Sequence, residues 1–414
     1  MPSRHDGGEI VLRVIGGVLT TFSAMLFLAV FFADLFGLHT NPYLGVLFFL
    51  VLPAMFLLGL ALIPISSWRG KWPRVDLSDP AQRATAFVIL ALTIANVVIV
   101  SMAAYRGVEY MDSVAFCGQV CHTTMQPQFV SHQTGPHAGV RCIDCHAGPG
   151  AMSFVSAKAA GMRRVLATAR STYPRPIVPE PRQLPTAAET CEQCHSPALR
   201  RGDRTRRVVE YADNEKNTAS VTTLKIHVDV IHRHVEKNIE YVATDKTRQT
   251  IPYVRIADRD GSVREFAVAG TTPEQIRNGE RRRMDCIDCH NRPSHGVAPT
   301  PDRAVNEAIA AGDIPATLPF VHRESVKALK AGNPAAVGEL FRSQPPDQVA
   351  QAVAALERIY RRNVFPAMNV TFGTYPNNVG HIDSPGCFRC HDDDHKSKDG
   401  KKIGQDCETC HSIE

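Results

Sequence analysis

Tryptophan occurs twice in these 414 residues and aromatic residues make up only 7% of them, too few to fill the core of a polar region this long. Charge of one sign is also scarce. The net balance is +5, and no basic tract stands out beyond Arg204 to Arg207 and Arg281-Arg282-Arg283. Both read as solvated faces, and neither argues for a nucleic-acid partner. Three stretches lack charge altogether: Val14 to Ala33, Tyr43 to Ser67 and Ala84 to Tyr105. Each is long enough to cross a bilayer, and three within the first hundred residues favour membrane spans over buried core helices. The first is too long, and lacks a small-residue cleavage site, to read as a removed signal peptide. The loop Asp34 to Asn41 has no Lys or Arg, whereas Arg4, Arg13, Arg69, Lys71, Arg74 and Arg83 flank the other ends. The excess of positive charge places the N-terminus and the 69–83 loop in the cytoplasm, and residue 106 onward outside.

Cysteine, by contrast, is plentiful, and none is spare. Five Cys-x-x-Cys-His signatures use Cys142/Cys145/His146, Cys191/Cys194/His195, Cys286/Cys289/His290, Cys387/Cys390/His391 and Cys407/Cys410/His411. A sixth, Cys117/Cys121/His122, has one extra residue between its cysteines. Together they account for all twelve cysteines. Zinc sites and disulfides need no histidine after every pair. Covalent haem c does: two thiols add to two vinyl groups of one porphyrin, and the adjacent His ligates the iron. Six haem c groups are therefore expected, supplying bulk that the aromatic residues do not. Haem c attachment outside the bacterial inner membrane agrees with the orientation read from the charges.

The predicted fold is mainly α with long loops. Residues 1–105 form a three-helix membrane anchor. Residues 106–296 form a tetrahaem domain with a small antiparallel β insertion at about 206–268, and residues 297–414 a helical segment and a dihaem module. Period-two alternation predicts strands at Ser220 to Val230, Ile239 to Ala243, Ile251 to Ile256 and Val263 to Val268, with a turn at Asp258 to Gly261. Helices are predicted at Phe154 to Ala169, Thr272 to Arg283, Asp302 to Ala311, Arg323 to Ala331 and Asp347 to Arg362. A Pro-rich spacer covers 173–185.

Over residues 117–296 the chain resembles the membrane-anchored tetrahaem quinol dehydrogenases of the NapC/NirT type, including NrfH-like proteins. A membrane helix runs into the first motif and Met125 follows closely. Gly135-Pro136-His137 precedes the second motif, Lys158 follows it, and His295 lies five residues past His290. The resemblance implies that His137 pairs with His195 and His295 with His146. It implies that Met125, with His122 as rival, completes the first haem. It also implies a quinol site at Lys158, near an acid whose place is taken here by Arg164; Glu109 and Asp112 are candidate substitutes. Three spans rather than one, the β insertion and residues 297–414 depart from the family. They are more similar to extended inner-membrane multihaem cytochromes that carry electrons from menaquinol.

The remaining histidines are read from position. His381 and His395 flank His391 and are expected to ligate the last two irons, in either order. His232 or His234 reaches the fourth haem; on a continuing strand both share one face, so only one need ligate. His227 reads as a surface residue, Met368 as core, and His132, His322, His5 and His39 as uninvolved. The leading expectation is a multi-pass inner-membrane cytochrome, its haem region in the periplasm. It would oxidise quinol and pass electrons to periplasmic c-type cytochromes or a terminal reductase. An electron-entry subunit of a larger complex, a homo-oligomer, and a small-oxyanion reductase with one open haem are the other readings.

Overall fold

The structure, a computed structural model, describes residues 4–35, 51–67, 78–120, 122–178, 184–196, 201–258 and 260–414. It divides into two compact units, Met1–His122 and Thr123–Glu414. Helices predominate, with two small antiparallel sheets and long loops.

The first unit holds α1 (Arg4–Leu35), α2 (Leu52–Ser67) and α3 (Pro80–Met111). α1 and α2 approach closely at small residues: a Cβ on Gly59 would lie 2.5 Å from Thr20 Oγ1 and 2.8 Å from the Gly16 carbonyl. Such contacts are how apolar helices associate where burial alone gives no preference. Asp79 caps α3 by accepting from the Ala81 amide at 3.0 Å, and Pro80 occupies the first turn, where no donor is lost. Among the described helices only α3 is long and apolar enough to cross a membrane; α1 and α2 carry the shorter apolar stretches Val14–Val30 and Leu52–Ile63. Part of the expected second span, residues 43–50, lies outside the described residues. Beyond α3 the chain makes one π-helical turn, Phe116–Val120. That wider turn can take up one extra residue, and it holds Cys117 of the motif whose cysteines are one residue further apart.

The second unit opens with α4 (His122–Gln133), α5 (Cys142–His146) and α6 (Ala151–Ala169). Then β1 (Asp203–Tyr211) pairs with β2 (Ala219–His227). β1 has no counterpart among the expected strands, because its exposed Arg-rich first half masks the alternation. β2 ends at His227, where the expected strand continues to Val230. Its backbone turns directly into α7 (Val228–Glu236), whose Val228, Ile231 and Val235 recur at helical spacing.

A second sheet follows, in spatial order β5 (Val263–Ala267), β4 (Tyr253–Ala257), β3 (Asn238–Ala243), β6 (Glu280–Arg283). Here the expected helix Thr272 to Arg283 is only half right. α8 (Pro273–Asn278) is capped reciprocally by Thr272 and Gln275, and β6 begins two residues after it. Alternation along β6 turns Arg282 inward while Arg281 and Arg283 are exposed, which corrects the solvated-face reading for Arg282.

α9 (Cys286–Cys289) carries the fourth motif. α10 (Pro301–Ala310), α11 (Val321–Lys330), α12 (Ala336–Leu340) and α13 (Pro346–Asn363) then enclose an apolar core. Val305, Ile314, Leu318, Val321 and Leu356 are fully buried there. Each such side chain contributes about 1.5–3 kcal/mol by leaving water. This segment is packed by ordinary aliphatic side chains. α14 (Cys407–Cys410) carries the sixth motif, and β7 (His411–Ile413) pairs with β2, joining the C-terminus to the first sheet.

Candidate functional site: paired histidines beside the Cys-His motifs

Five pairs of imidazole rings face one another in the second unit. Ring centroids are 6.1 Å apart for His146 and His295, and 6.0 Å for His137 and His195. They are 6.4 Å apart for His232 and His290, 5.7 Å for His234 and His391, and 6.1 Å for His381 and His411. A metal–imidazole bond is about 2 Å and the ring centre lies roughly 1 Å beyond the nitrogen, so rings on opposite sides of one metal ion stand about 6 Å apart. Each pair joins the proximal His of one motif to a histidine elsewhere in the chain. The separations match those that one iron between two imidazoles requires.

Hydrogen bonds decide which nitrogen is free. Nδ1 of His137 donates to Pro293 O at 3.1 Å, that of His295 to Gln128 O at 3.1 Å, that of His234 to Ile231 O at 2.6 Å and that of His391 to Gly404 O at 2.9 Å. A carbonyl at Nδ1 fixes the tautomer and leaves the Nε2 lone pair for a metal. Burial holds the rings neutral, as ligation needs: it lowers the pKa of His146, His234 and His290, and takes His295 down to about 4. Nδ1 of His232 and of His411 is buried without a partner among the described residues.

The histidines outside the pairs are committed differently. His395 is fully buried, with Nδ1 at 2.8 Å from Asp392 and Nε2 at 2.7 Å from Ile251 O. Both nitrogens are occupied inside the protein, so the structure corrects its expected role as a ligand to that of a post between the fifth motif and the β3–β4 loop. His132 stands 6.3 Å from His295, yet its Nε2 bonds Val140 O at 2.9 Å and its Nδ1 bonds Gln133, which leaves His146 as the partner of His295. His322 lies between Asp213 and Asp302, and His227 against Asp203. Met368 is buried in a small apolar cluster.

α7 explains how both His232 and His234 are used. Residues two apart on a helix point about 200° apart, so His232 faces His290 and His234 faces His391. Shared strand parity would have brought both to one side.

The cysteines fit the same group. Among the described residues none is in a disulfide, and no three His, Cys, Asp or Glu side chains are placed to hold a metal ion. A structural zinc site needs four such ligands. Burial pushes the Cys289 thiol up to about 11 and the Cys390 thiol up to about 12, and raises those of Cys145 and Cys410.

Burial is not uniform among the thiols: Cys145, Cys194, Cys387 and Cys407 are exposed. Cys194, expected from the motif spacing to attach the third haem, is one of these. The reason is local. The third motif sits on a single 3-10 turn, Cys191–Gln193, and the Cys194 amide closes that turn by donating to Cys191 O at 3.2 Å. So short a turn has no second face to pack against the chain, and Gln193, Cys194 and His195 all stand at the surface while Cys191 is half-buried. Cys194 therefore lies open at the surface. Its part in attachment rests on the motif spacing and on the His137–His195 pair, not on burial.

Two charged residues within the motifs carry more than spacing revealed. Asp144 and Asp288 occupy the same place in Cys-Ile-Asp-Cys-His. Asp144 pairs with Arg141 at the surface, whereas Asp288 is 1% exposed and accepts from Tyr241 Oη at 2.6 Å, Arg282 Nε at 3.2 Å and the Asp285 amide at 2.7 Å. Burial works against the charge on Arg282, but Asp288, Tyr241 and Glu280 together outweigh it and raise the pKa. Arg389, between the fifth pair of cysteines, is buried and donates only to carbonyls: Gly386, Arg248 and Asp288 at 2.8, 3.0 and 2.8 Å. It ties the fourth motif to the fifth.

At the first motif Cys121 is outside the described residues. Met125 follows His122 by one turn on α4 and is half-buried. Glu109 pairs with Arg106 at 2.9 Å near the end of α3, Asp112 caps that helix, and Lys158 lies on α6.

Paired axial histidines beside Cys-x-x-Cys-His motifs define a multihaem c-type cytochrome, an electron-transfer protein with covalently attached haem. The sequence is 37% identical, over an alignment of 443 residues, to the cytochrome c-type protein ImcH of Geobacter sulfurreducens, covering 97% of this chain and 87% of that one. The chain belongs to the family of that cytochrome. No family model matches the sequence, and no solved structure matches it.

Proposed function

We propose that the chain is a six-haem quinol dehydrogenase of NapC/NirT character. It is held in the bacterial inner membrane by three spans, with its haem region in the periplasm. The observation that carries this reading is the set of five histidine pairs. With both axial positions filled, an iron has no open place for substrate, which suits electron transfer. The oxyanion-reductase alternative needs an open haem, and His232 stands opposite the fourth motif's His290, so that haem does not supply one.

When bound, each haem supplies a one-electron couple, and the protein sets ligation, spacing and potential. The chain's own residues would handle the protons. Lys158 Nζ would donate to a quinol oxygen, and a carboxylate of Glu109 or Asp112 would accept the proton released as each electron leaves. α6 supports a membrane-surface position for Lys158. Met152, Val155, Met162 and Leu166 recur at helical spacing and are 82%, 60%, 62% and 46% exposed, and Lys158 borders their stripe. An apolar stripe turned outward beside Lys158, Arg163 and Arg164 is the pattern of a helix lying in a lipid interface. Periplasmic c-type cytochromes or a terminal reductase would take the electrons.

The test is anaerobic mixing of the detergent-solubilised protein with a reduced menaquinol analogue while following the haem α-band. Rapid reduction by quinol, slowed at least tenfold in Lys158→Ala, is expected. Reduction by dithionite but not by quinol would reject the reading for this chain alone and leave the subunit of a larger complex.

A further inference from the structure

Arg292 lies between the fourth motif and His295, and its surroundings are incomplete. Its Nε donates to the His295 carbonyl at 2.7 Å, and its guanidinium lies 3.8 Å over the Tyr375 ring. Its Nη2 is buried with no partner among the described residues. The Tyr375 hydroxyl is buried and unpartnered in the same sense, as is Gln128 Oε1. Burial raises the Tyr375 pKa, and the Arg292 charge and then Gln128 pull it back; neither Tyr375 Oη nor Gln128 Oε1 has a hydrogen bond of ordinary geometry among the described residues. Gln128 also accepts from His295 through its backbone carbonyl, so Arg292, Tyr375 and Gln128 gather around one ligand histidine. No carboxylate among the described residues pairs with Arg292 there. A buried guanidinium without an anion is costly, and a carboxylate held by two donors relieves that cost.

We infer that Arg292 Nη2 and Tyr375 Oη bind a carboxylate, a propionate of the haem held between His146 and His295. The guanidinium is anchored through Nε to the backbone of that haem's distal ligand, which fixes the remaining donors beside the porphyrin. The inference rests on the bis-His reading of this haem and is independent of the electron donor. A free carboxylate or phosphate from solution would satisfy the same donors, and the test separates the two sources.

The holoprotein and its Arg292→Leu, Arg292→Lys and Tyr375→Phe variants would be compared by resonance Raman spectroscopy, reading the propionate bending bands. Electron paramagnetic resonance would read the low-spin signals, and spectropotentiometry the midpoints. Tyr375→Phe keeps the ring beneath the guanidinium and the fold around it. It should shift the propionate bands with all low-spin signals intact. Arg292→Leu should shift them further and lower one midpoint, and Arg292→Lys should keep that midpoint nearer wild type. Bands unchanged in Tyr375→Phe and Arg292→Leu with low-spin signals intact would overturn the proposal. So would bands or midpoints in the wild type that follow added acetate or phosphate, which assigns the donors to a free anion. Loss of a low-spin signal in the wild type would instead overturn the ligation on which the inference stands.

Discussion

His232 and His234 each keep one ring nitrogen available, whereas His395 keeps none, and spectroscopy can tell these apart. His232→Ala should convert the fourth haem to a high-spin form, and His234→Ala the fifth, each in electron paramagnetic resonance. His395→Ala should leave every low-spin signal in place and lower unfolding stability by about 1–3 kcal/mol, since the carbonyl and carboxylate it bridges lose a buried partner. A high-spin signal in His395→Ala would restore it as a ligand. Asp245 gives a test in acid. Partial burial raises its pKa, but bonds from Thr247, Thr250 and Gln249 outweigh that, and the folded value lies below the ordinary 3.8. The carboxylate therefore stabilises the fold above that pH, and the contribution is lost as pH falls through the lower folded value. Asp245→Asn should cost on the order of 1 kcal/mol at neutral pH, reduced by solvent screening. The difference from wild type should close in acid melts. Spacing singles out the motif cysteines and proximal histidines but carries nothing about their burial, such as the open position of Cys194. His395 was misread because spacing places a histidine beside a haem motif but cannot show that Ile251, far away in sequence, offers a carbonyl to its second nitrogen. Asp288 was invisible for a like reason: its motif is identical to that of Asp144, and only the fold buries one of them.

At the scale of elements, α7 shows what a local error propagates to. Alternation through Leu224, Ile226, Val228 and Val230 reads as one strand, and the same residues do form β2 up to His227. The chain then switches period, and with it the directions of His232 and His234. One alanine inserted between His232 and Arg233 would rotate His234 by about 100° and place it three residues on, towards the face of His232. The fifth haem should lose its distal ligand while the fourth keeps His232, read as a single new high-spin signal. The loop before the fifth motif is equally constrained. Gly386 has φ +49°, and a Cβ there would fall 1.6 Å from the Gly380 carbonyl, which accepts from the Cys387 amide at 3.0 Å. Gly386→Ala must open that closure and displace His381, so the sixth haem should show weakened ligation. Sheet and helix boundaries were mostly legible; β1 and β6 were not, because exposed arginines hide a strand's inner face.

At the scale of the molecule, the C-terminal segment is not separable from the β insertion. β7 completes the sheet begun by β1 and β2, His391 meets His234, and an isolated bridge joins Lys396 to Ala267. Deleting Ser412–Glu414 would keep the sixth motif whole yet remove most of the strand that aims His411 at His381. Haem content should be unchanged, with one haem losing its low-spin signal. Few aromatics led to the expectation of a core made of porphyrin. The aliphatic core between α10 and α13 shows that one segment packs without it.

The histidine pairs also make the cofactor a set of clasps. One iron held by residues 146 and 295, and another by 234 and 391, would close loops whose entropy the sparse apolar core outside α10–α13 does little to offset. Metal-dependent closure of this kind makes loading and folding one event. A cell short of haem would therefore accumulate an unclosed chain exposed to proteolysis, and the amount of this cytochrome would track haem delivery rather than the rate of its own synthesis.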